Sequence, residues 1–172
     1  SEADIIATVA KVAEHHGRID VLVNNAAIGP TMAATIDTSI EGFRQALGSR
    51  FDSGLVVEVP FYEYGAGISG MDELLRREPR IDGVFAASDA VAAGALEALK
   101  AAGRSVPADV GVVGFDDSSW SRRVRPALST VHQPAVALGR RAAEVVLAQL
   151  RGESVERGGI LLETPTVWRD SA

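Results

Sequence analysis

The stretch Ile81-Asp82-Gly83-Val84-Phe85-Ala86-Ala87-Ser88-Asp89 decides the fold. Its mostly apolar first seven residues read as a short buried strand of a parallel sheet. Asp89 is a helix-capping residue type, and the run after it predicts a helix to about Ala102. Gly103 then supplies the left-handed residue that closes such a helix. The rhythm continues on both sides. Upstream, Leu55-Val56-Val57-Glu58-Val59 predicts a strand and Ile68 to Arg77 a helix closed by Pro79. Further up, residues 2–16 carry Ile5, Val9, Val12 and Ala13 at helical spacing, Ile19 to Val23 form an apolar run, and Thr38 or Ser39 can cap a helix through Glu41, Phe43 and Leu47. Downstream come a strand from Val110 to Phe115, a polar loop from Asp116 to Pro126 and a short extended piece from Leu128 to Val131. A long helix bearing Leu138, Ala142, Val145, Val146 and Leu150 follows, and Ile160 to Leu162 with Thr166 to Trp168 make a terminal β segment.

Strands alternating with helices predict an α/β fold, a three-layer sandwich on a mostly parallel sheet. Ligands of such sheets sit outside the carboxyl ends of the strands. That rule singles out Asn24, Asn25, Phe61, Tyr62, Ser88, Asp89, Asp116 and Asp117. The 172 residues suit one domain, with 48–54 as the best joint within it.

Composition excludes several function classes. With no cysteine there is no disulfide, no thiol nucleophile and no cysteine metal site. Seventeen basic against 23 acidic residues, a net charge of −6, leave no footprint for nucleic acid. No apolar run approaches the ~20 residues of a membrane span, and no signal peptide opens the chain. A soluble, cytoplasmic protein is the expectation.

The chemistry-bearing residues narrow the choice. Gly65-Ala66-Gly67-Ile68-Ser69-Gly70 spells G-x-G-x-x-G, but it does not directly follow its strand and no acidic ribose ligand follows it. It reads as a turn into a helix, so no nucleotide cofactor is expected. Asn24-Asn25 reads first as a strand-end turn. Asp116 and Asp117 are adjacent on an extended segment and point opposite ways. One then faces the ligand crevice while the other caps the loop. A carboxylate at a strand end can accept two hydroxyl hydrogen bonds, which suits a polyol ligand. His15 and His16 diverge on a helix end, and no i, i+4 histidine pair exists, so no metal site is expected. Ser118, Ser119 and Ser121 lack a nucleophile elbow, Trp120 reads as loop packing, and no catalytic residue is assigned.

Two resemblances follow from these motifs. Gly17-Arg18-Ile19-Asp20-Val21-Leu22-Val23-Asn24-Asn25-Ala26-Ala27, with the helix start at Asp37-Thr38-Ser39, resembles the middle of a short-chain dehydrogenase/reductase over residues 1–47. The match departs at Leu47, which is followed by Gly48-Ser49-Arg50 instead of Val-Asn. Neither Tyr62 nor Tyr64 has a lysine four residues on. Without a nucleotide site and a proton donor, hydride transfer is not expected.

Residues 42–172 resemble the carboxyl-terminal effector-binding lobe of LacI/GalR-type transcriptional regulators, which is periplasmic-binding-protein-like and Rossmann-like. Three runs carry this: Asp82 to Asp89 with Gly94-Ala95-Leu96; Val106-Pro107-Ala108-Asp109-Val110 with Val113 to Asp117; and Pro126 to Pro134 with Leu138-Gly139. The resemblance implies a small-molecule site, often for a sugar or nucleobase. Asp116 would accept hydroxyl hydrogen bonds, Ser88 would stand at a position often held by asparagine with Asp89 following it in the ligand site, and Gln133 would line the crevice. Phe61 or Tyr62 would stack on the ligand. The family's ligand-gripping arginine falls at Ser39. No helix-turn-helix region is present, so no nucleic acid is expected as a partner. The family's helix after Gln133-Pro134 packs on an amino-terminal lobe. Here residues 1–47 or a second chain would have to cover it.

Together the two resemblances imply one α/β domain, 1–172, built as a recombined or designed chimera of a dehydrogenase-like segment (1–47) and a LacI-type lobe (48–172). The expected function is non-enzymatic binding of a sugar-like effector, with weak or no native activity, and a homodimer is expected. The alternative is an inactive fragment of an NAD(P)-dependent oxidoreductase.

Overall fold

Six strands form one sheet in the structure, a computed structural model that describes residues 21–24, 44–45, 47–153 and 162–172. The strands are β1 (Val21–Asn24), β2 (Val56–Glu58), β3 (Gly83–Ala86), β4 (Gly111–Asp116), β5 (Ser129–His132) and β6 (Thr166–Val167). Their order is β2-β1-β3-β4-β5-β6. All neighbours are parallel except β6, which runs antiparallel to β5 with Val131 opposite Thr166. The α/β class with a mostly parallel sheet is therefore as the sequence rhythm predicts. The helix expected over 2–16, the pair His15 and His16, Asn25 and the cap at Thr38 or Ser39 lie outside the described residues.

The helices are α1 (Tyr64–Arg77), α2 (Asp89–Ala101), the single turn α3 (Trp120–Arg123) and α4 (Ala135–Leu150). Their ends follow from capping chemistry. The Ser88 hydroxyl accepts the Val91 N–H at 3.2 Å, so Ser88, one residue before Asp89, is the cap of α2. Gly103 closes α2 at φ +72°, and the Arg104 N–H reaches the Leu99 carbonyl at 2.9 Å. At the end of α1, Arg77 donates to the carbonyls of Gly54 (3.0 Å) and Val56 (3.1 Å). Those bonds pin the helix to the start of β2.

The core lies where α1 and α2 meet β2, β3 and β4. Met71 and Leu74 of α1, Val91 and Leu99 of α2, and Val84 and Val112 of the sheet are buried there with Ile81, Val110 and Leu128. Val112 and its neighbour Val113 are both fully covered, as a central parallel strand requires.

One local expectation changes. The glycine-rich run 65–70 is not a turn but lies inside α1, which begins at Tyr64 instead of Ile68. The reason is packing. A Cβ at Gly67 would overlap the Val91 carbonyl, and one at Gly94 would overlap the Tyr64 carbonyl. The two glycines let α1 and α2 approach backbone to backbone, and the letters G-x-G-x-x-G serve helix contact here. The long helix, whose apolar face the sequence leaves in need of a partner, carries several large apolar residues in the open. Val136 is 88%, Leu138 50%, Val146 53% and Leu150 78% exposed. Among the described residues no helix is long and apolar enough to cross a membrane.

Candidate functional site

Asp116 ends β4 with φ 112°, and Asp117 follows at φ 53°. Two consecutive non-glycine residues at positive φ cost on the order of 1–2 kcal/mol each, so the surroundings must hold them. They do so by sending the two carboxylates to different partners, through a turned backbone instead of the extended segment that the sequence suggests. The Asp116 carboxyl takes the backbone N–H of Asp89 at the start of α2, beside the Asp89 carboxylate. Burial, and then the charge of Asp89, push Asp116 up to about 6. The Tyr62 phenol is raised by burial and by the charge of Asp116, which places Tyr62 at the same edge.

Asp89 departs from its sequence-assigned role of facing the ligand. It is fully buried. One oxygen accepts the Ser118 N–H at 2.6 Å and the other the Thr130 hydroxyl at 2.5 Å. Burial raises its carboxyl against those hydrogen bonds. It fastens the first turn of α2 to the loop after β4 and to β5. Gly114 makes the room, since a Cβ there would lie 2.5 Å from an Asp89 oxygen and 2.8 Å from Leu128. Nothing in the local sequence signals this arrangement, because the partners are 29 and 41 residues away.

Asp117 turns the other way. Its carboxylate takes Arg169 at 2.6 Å, His132 at 3.2 Å and the Ser121 hydroxyl at 3.2 Å. Burial alone would raise it, but Arg169, His132 and Ser121 outweigh that and hold it below the usual carboxylate range. Arg169 also donates to the Leu128 carbonyl at 2.7 Å, and its backbone N–H meets the Ser129 hydroxyl at 2.9 Å. Sequence reading missed Arg169 altogether, since it lies 52 residues from its carboxylate partner.

The other expected residues fall as follows. The Gln133 N–H donates to the Asp116 carbonyl at 3.3 Å, so these two residues are brought together at the carboxyl ends of β4 and β5. Ser88 sits at the carboxyl end of β3, but its hydroxyl is engaged as a cap and the residue is only 4% exposed. Phe61 and Tyr62 lie between β2 and α1, both exposed, with Tyr62 the one coupled to Asp116. Trp120 stacks on Tyr64, centroids 5.7 Å apart and planes 14° apart, bracing the loop that leaves Asp117. An open cavity of about 450 Å³ lies beside Gln133, lined also by His132, Pro134, Val136 and Arg140. Asp116 is not part of that lining, so the cavity flanks the carboxylate edge instead of covering it. Among the described residues no cluster of three or more His, Asp or Glu could hold a metal ion.

Comparison with known proteins places this geometry. The description "periplasmic binding protein-like domain" matches residues 12–172. The chain is 41% identical over 135 residues to the HTH-type transcriptional regulator CelR of Thermobifida fusca, covering 77% of this chain and 39% of that protein. It is 28% identical over 169 residues to the ribose operon repressor of Haemophilus influenzae, covering 96% of this chain and 49% of that protein. A solved cellobiose complex of the transcriptional regulator CelR superposes with a TM-score of 0.83 at 34% identity, over 98% of this chain and 52% of that one. The chain thus spans about half or less of the length of these relatives. The family match starts at residue 12, not near 42, so it takes in most of the segment that resembles a dehydrogenase, and these matches carry no sign of such a segment or of a chimera. The matched relatives are named as regulators and repressors, not enzymes. A mostly parallel sheet with polar residues gathered at its carboxyl edge, matched over residues 12–172, makes this chain a member of the periplasmic-binding-protein-like domain family.

Proposed function

We propose that the chain is the effector-binding lobe of a LacI-type, sugar-responsive transcriptional regulator. The observation that carries this reading is Asp116, held at positive φ at the carboxyl end of β4 with Gln133 bonded to its backbone and the Tyr62 phenol within reach of its charge. A carboxylate there accepts paired sugar hydroxyls, and an exposed aromatic residue, Tyr62 or Phe61, offers a face to the apolar side of a pyranose ring. CelR in complex with cellobiose supports a glucoside as the first ligand to try.

A thermal-shift series tests the reading. Cellobiose, ribose and glucose are each added at millimolar concentration, with NAD(H) and NADP(H) as the comparison. At least one sugar should raise the melting temperature in proportion to the logarithm of its concentration. A shift with the nicotinamide nucleotides and none with any sugar would favour an oxidoreductase fragment and end the sugar reading.

A homodimer remains part of the proposal. Val136, Val146, Leu147 and Leu150 along α4 leave an apolar stripe open to water, which a second copy would cover. Light scattering after size-exclusion chromatography should give twice the chain mass. A monodisperse monomer at 100 μM or so would remove the dimer from the proposal.

A further inference from the structure

Asp117 joins three parts of the molecule that are far apart in sequence. It follows Asp116 directly. Through His132 it reaches the end of β5, next to Gln133. Through Arg169 it reaches the segment after β6. Its side chain is 9% exposed and that of Arg169 is 15% exposed, so this pair is shielded where the outer contact, Arg122 at 3.4 Å and 64% exposed, is not. Shielding makes the inner pair the stronger of the two. Arg169 is itself locked: its second guanidinium nitrogen is on the Leu128 carbonyl and its backbone on Ser129. A rigid cation then fixes a carboxylate whose own backbone stands at φ 53°, immediately after φ 112° at Asp116.

From this geometry we propose that Arg169, acting through Asp117, is a positioning residue of the sugar site. The ion pair holds the turned backbone of Asp116–Asp117, and with it the spacing of Asp116 and Gln133 across the ends of β4 and β5. Neither Arg169 nor Asp117 touches the ligand. The segment after β6 thereby becomes part of the effector-binding apparatus. The inference rests on the sugar-binding reading for its functional consequence, but the positioning itself can be read without ligand.

The test uses the 172-residue chain with R169M, R169K, D117N, the double variant D117N/R169M, and S171A as a control. Ser171 ties the same segment to the sheet, giving its hydroxyl to the Val112 carbonyl at 2.6 Å and taking the Ser129 N–H at 2.8 Å, without touching Asp117. With cellobiose as the calorimetric probe, R169M should lose roughly tenfold in affinity, the loss of one charge-assisted bond. R169K should recover part of it, and D117N/R169M should be no worse than R169M, because both changes break one unit. S171A should lower the melting temperature and leave affinity within about twofold of wild type. In ligand-free protein the Gln133 amide, bonded to Asp116, should exchange with solvent faster in R169M than in S171A.

Unchanged Gln133 exchange in R169M overturns the proposal. So does an S171A affinity loss equal to that of R169M, since the segment would then act only through stability. If wild type binds no sugar while R169M still speeds Gln133 exchange, the sugar reading fails and the positioning role stands.

Discussion

Asp116→Asn is expected to abolish sugar binding by this chain and to make the ligand-free protein more stable. The two effects have one cause. The Asp116 carboxyl is pressed by burial and by the Asp89 carboxylate until it titrates at about 6. Between about pH 4 and 6 the folded state therefore binds a proton that the unfolded chain does not. Stability from this group rises as pH falls through that window, and the penalty is fully present above it. A displacement from 3.8 to about 6 bounds the penalty at roughly 3 kcal/mol. For a partly open site, solvent screening reduces it to on the order of 1 kcal/mol. Asn removes the charge and keeps the shape, so its melting temperature should exceed that of wild type at pH 7 and converge on it near pH 4. Binding should move the other way. A neutral amide forfeits two charge-assisted hydroxyl bonds, a loss of at least a hundredfold or so. In wild type, affinity should also fall below about pH 6, approaching about tenfold per pH unit for a single proton. Calorimetric titration with cellobiose at pH 5 and 7, beside melting curves of both proteins, checks each part. An Asn variant that binds as well as wild type would remove Asp116 from the site.

Gly94→Ala is expected to be, with Gly67→Ala, the most damaging addition of a methyl group at any glycine among the described residues. A Cβ at Gly94 meets the Tyr64 carbonyl, the Ile68 nitrogen and the Gly67 Cα, all backbone atoms of α1. No rotamer change relieves that overlap, so α1 has to move away from α2, opening the core around Met71 and Val91. Overpacking of flexible side chains costs about 1–3 kcal/mol, and a backbone clash belongs at or above the top of that range. In a domain of this size ~3 kcal/mol lowers the melting temperature by about 10 °C. Gly65→Ala is the contrast, since a Cβ there meets nothing and helix propensity favours alanine by about 1 kcal/mol. Equal melting temperatures for the two variants would contradict the close helix crossing.

The α/β class was legible because strand and helix periodicities differ, and the apolar runs at 55–59, 81–87 and 110–115 carry one period while 89–102 carries the other. Capping chemistry was legible for the same local reason, within one residue at Ser88 and at Gly103. The carboxyl-edge rule singled out Asp116, and the resemblance to a LacI-type lobe added Gln133, before any contact was known. Local reading failed where a residue's role is set by a distant partner. Asp89 looks like a ligand group by its place after a strand, yet Ser118 and Thr130 consume both its oxygens. The glycines at 65 to 70 look like a phosphate loop or a turn, yet the position of Val91 on another helix decides that they belong to a packed helix.

By itself the sequence determined the succession of elements, the strand ends at which polar residues gather, and the acidic, cysteine-free composition. Each of these depends on residues within one or two turns of each other. Only the tertiary structure supplied the partners that separate the two adjacent aspartates, of which the resemblance to a LacI-type lobe had named Asp116 as the ligand group. It sent Asp117 to Arg169, 52 residues away, and left Asp116 beside Asp89 and Tyr62. The physical reason is that a carboxylate's direction and proton affinity depend on the charges and the burial around it. A parallel sheet brings those together from strands, helices and a closing segment that no local pattern connects.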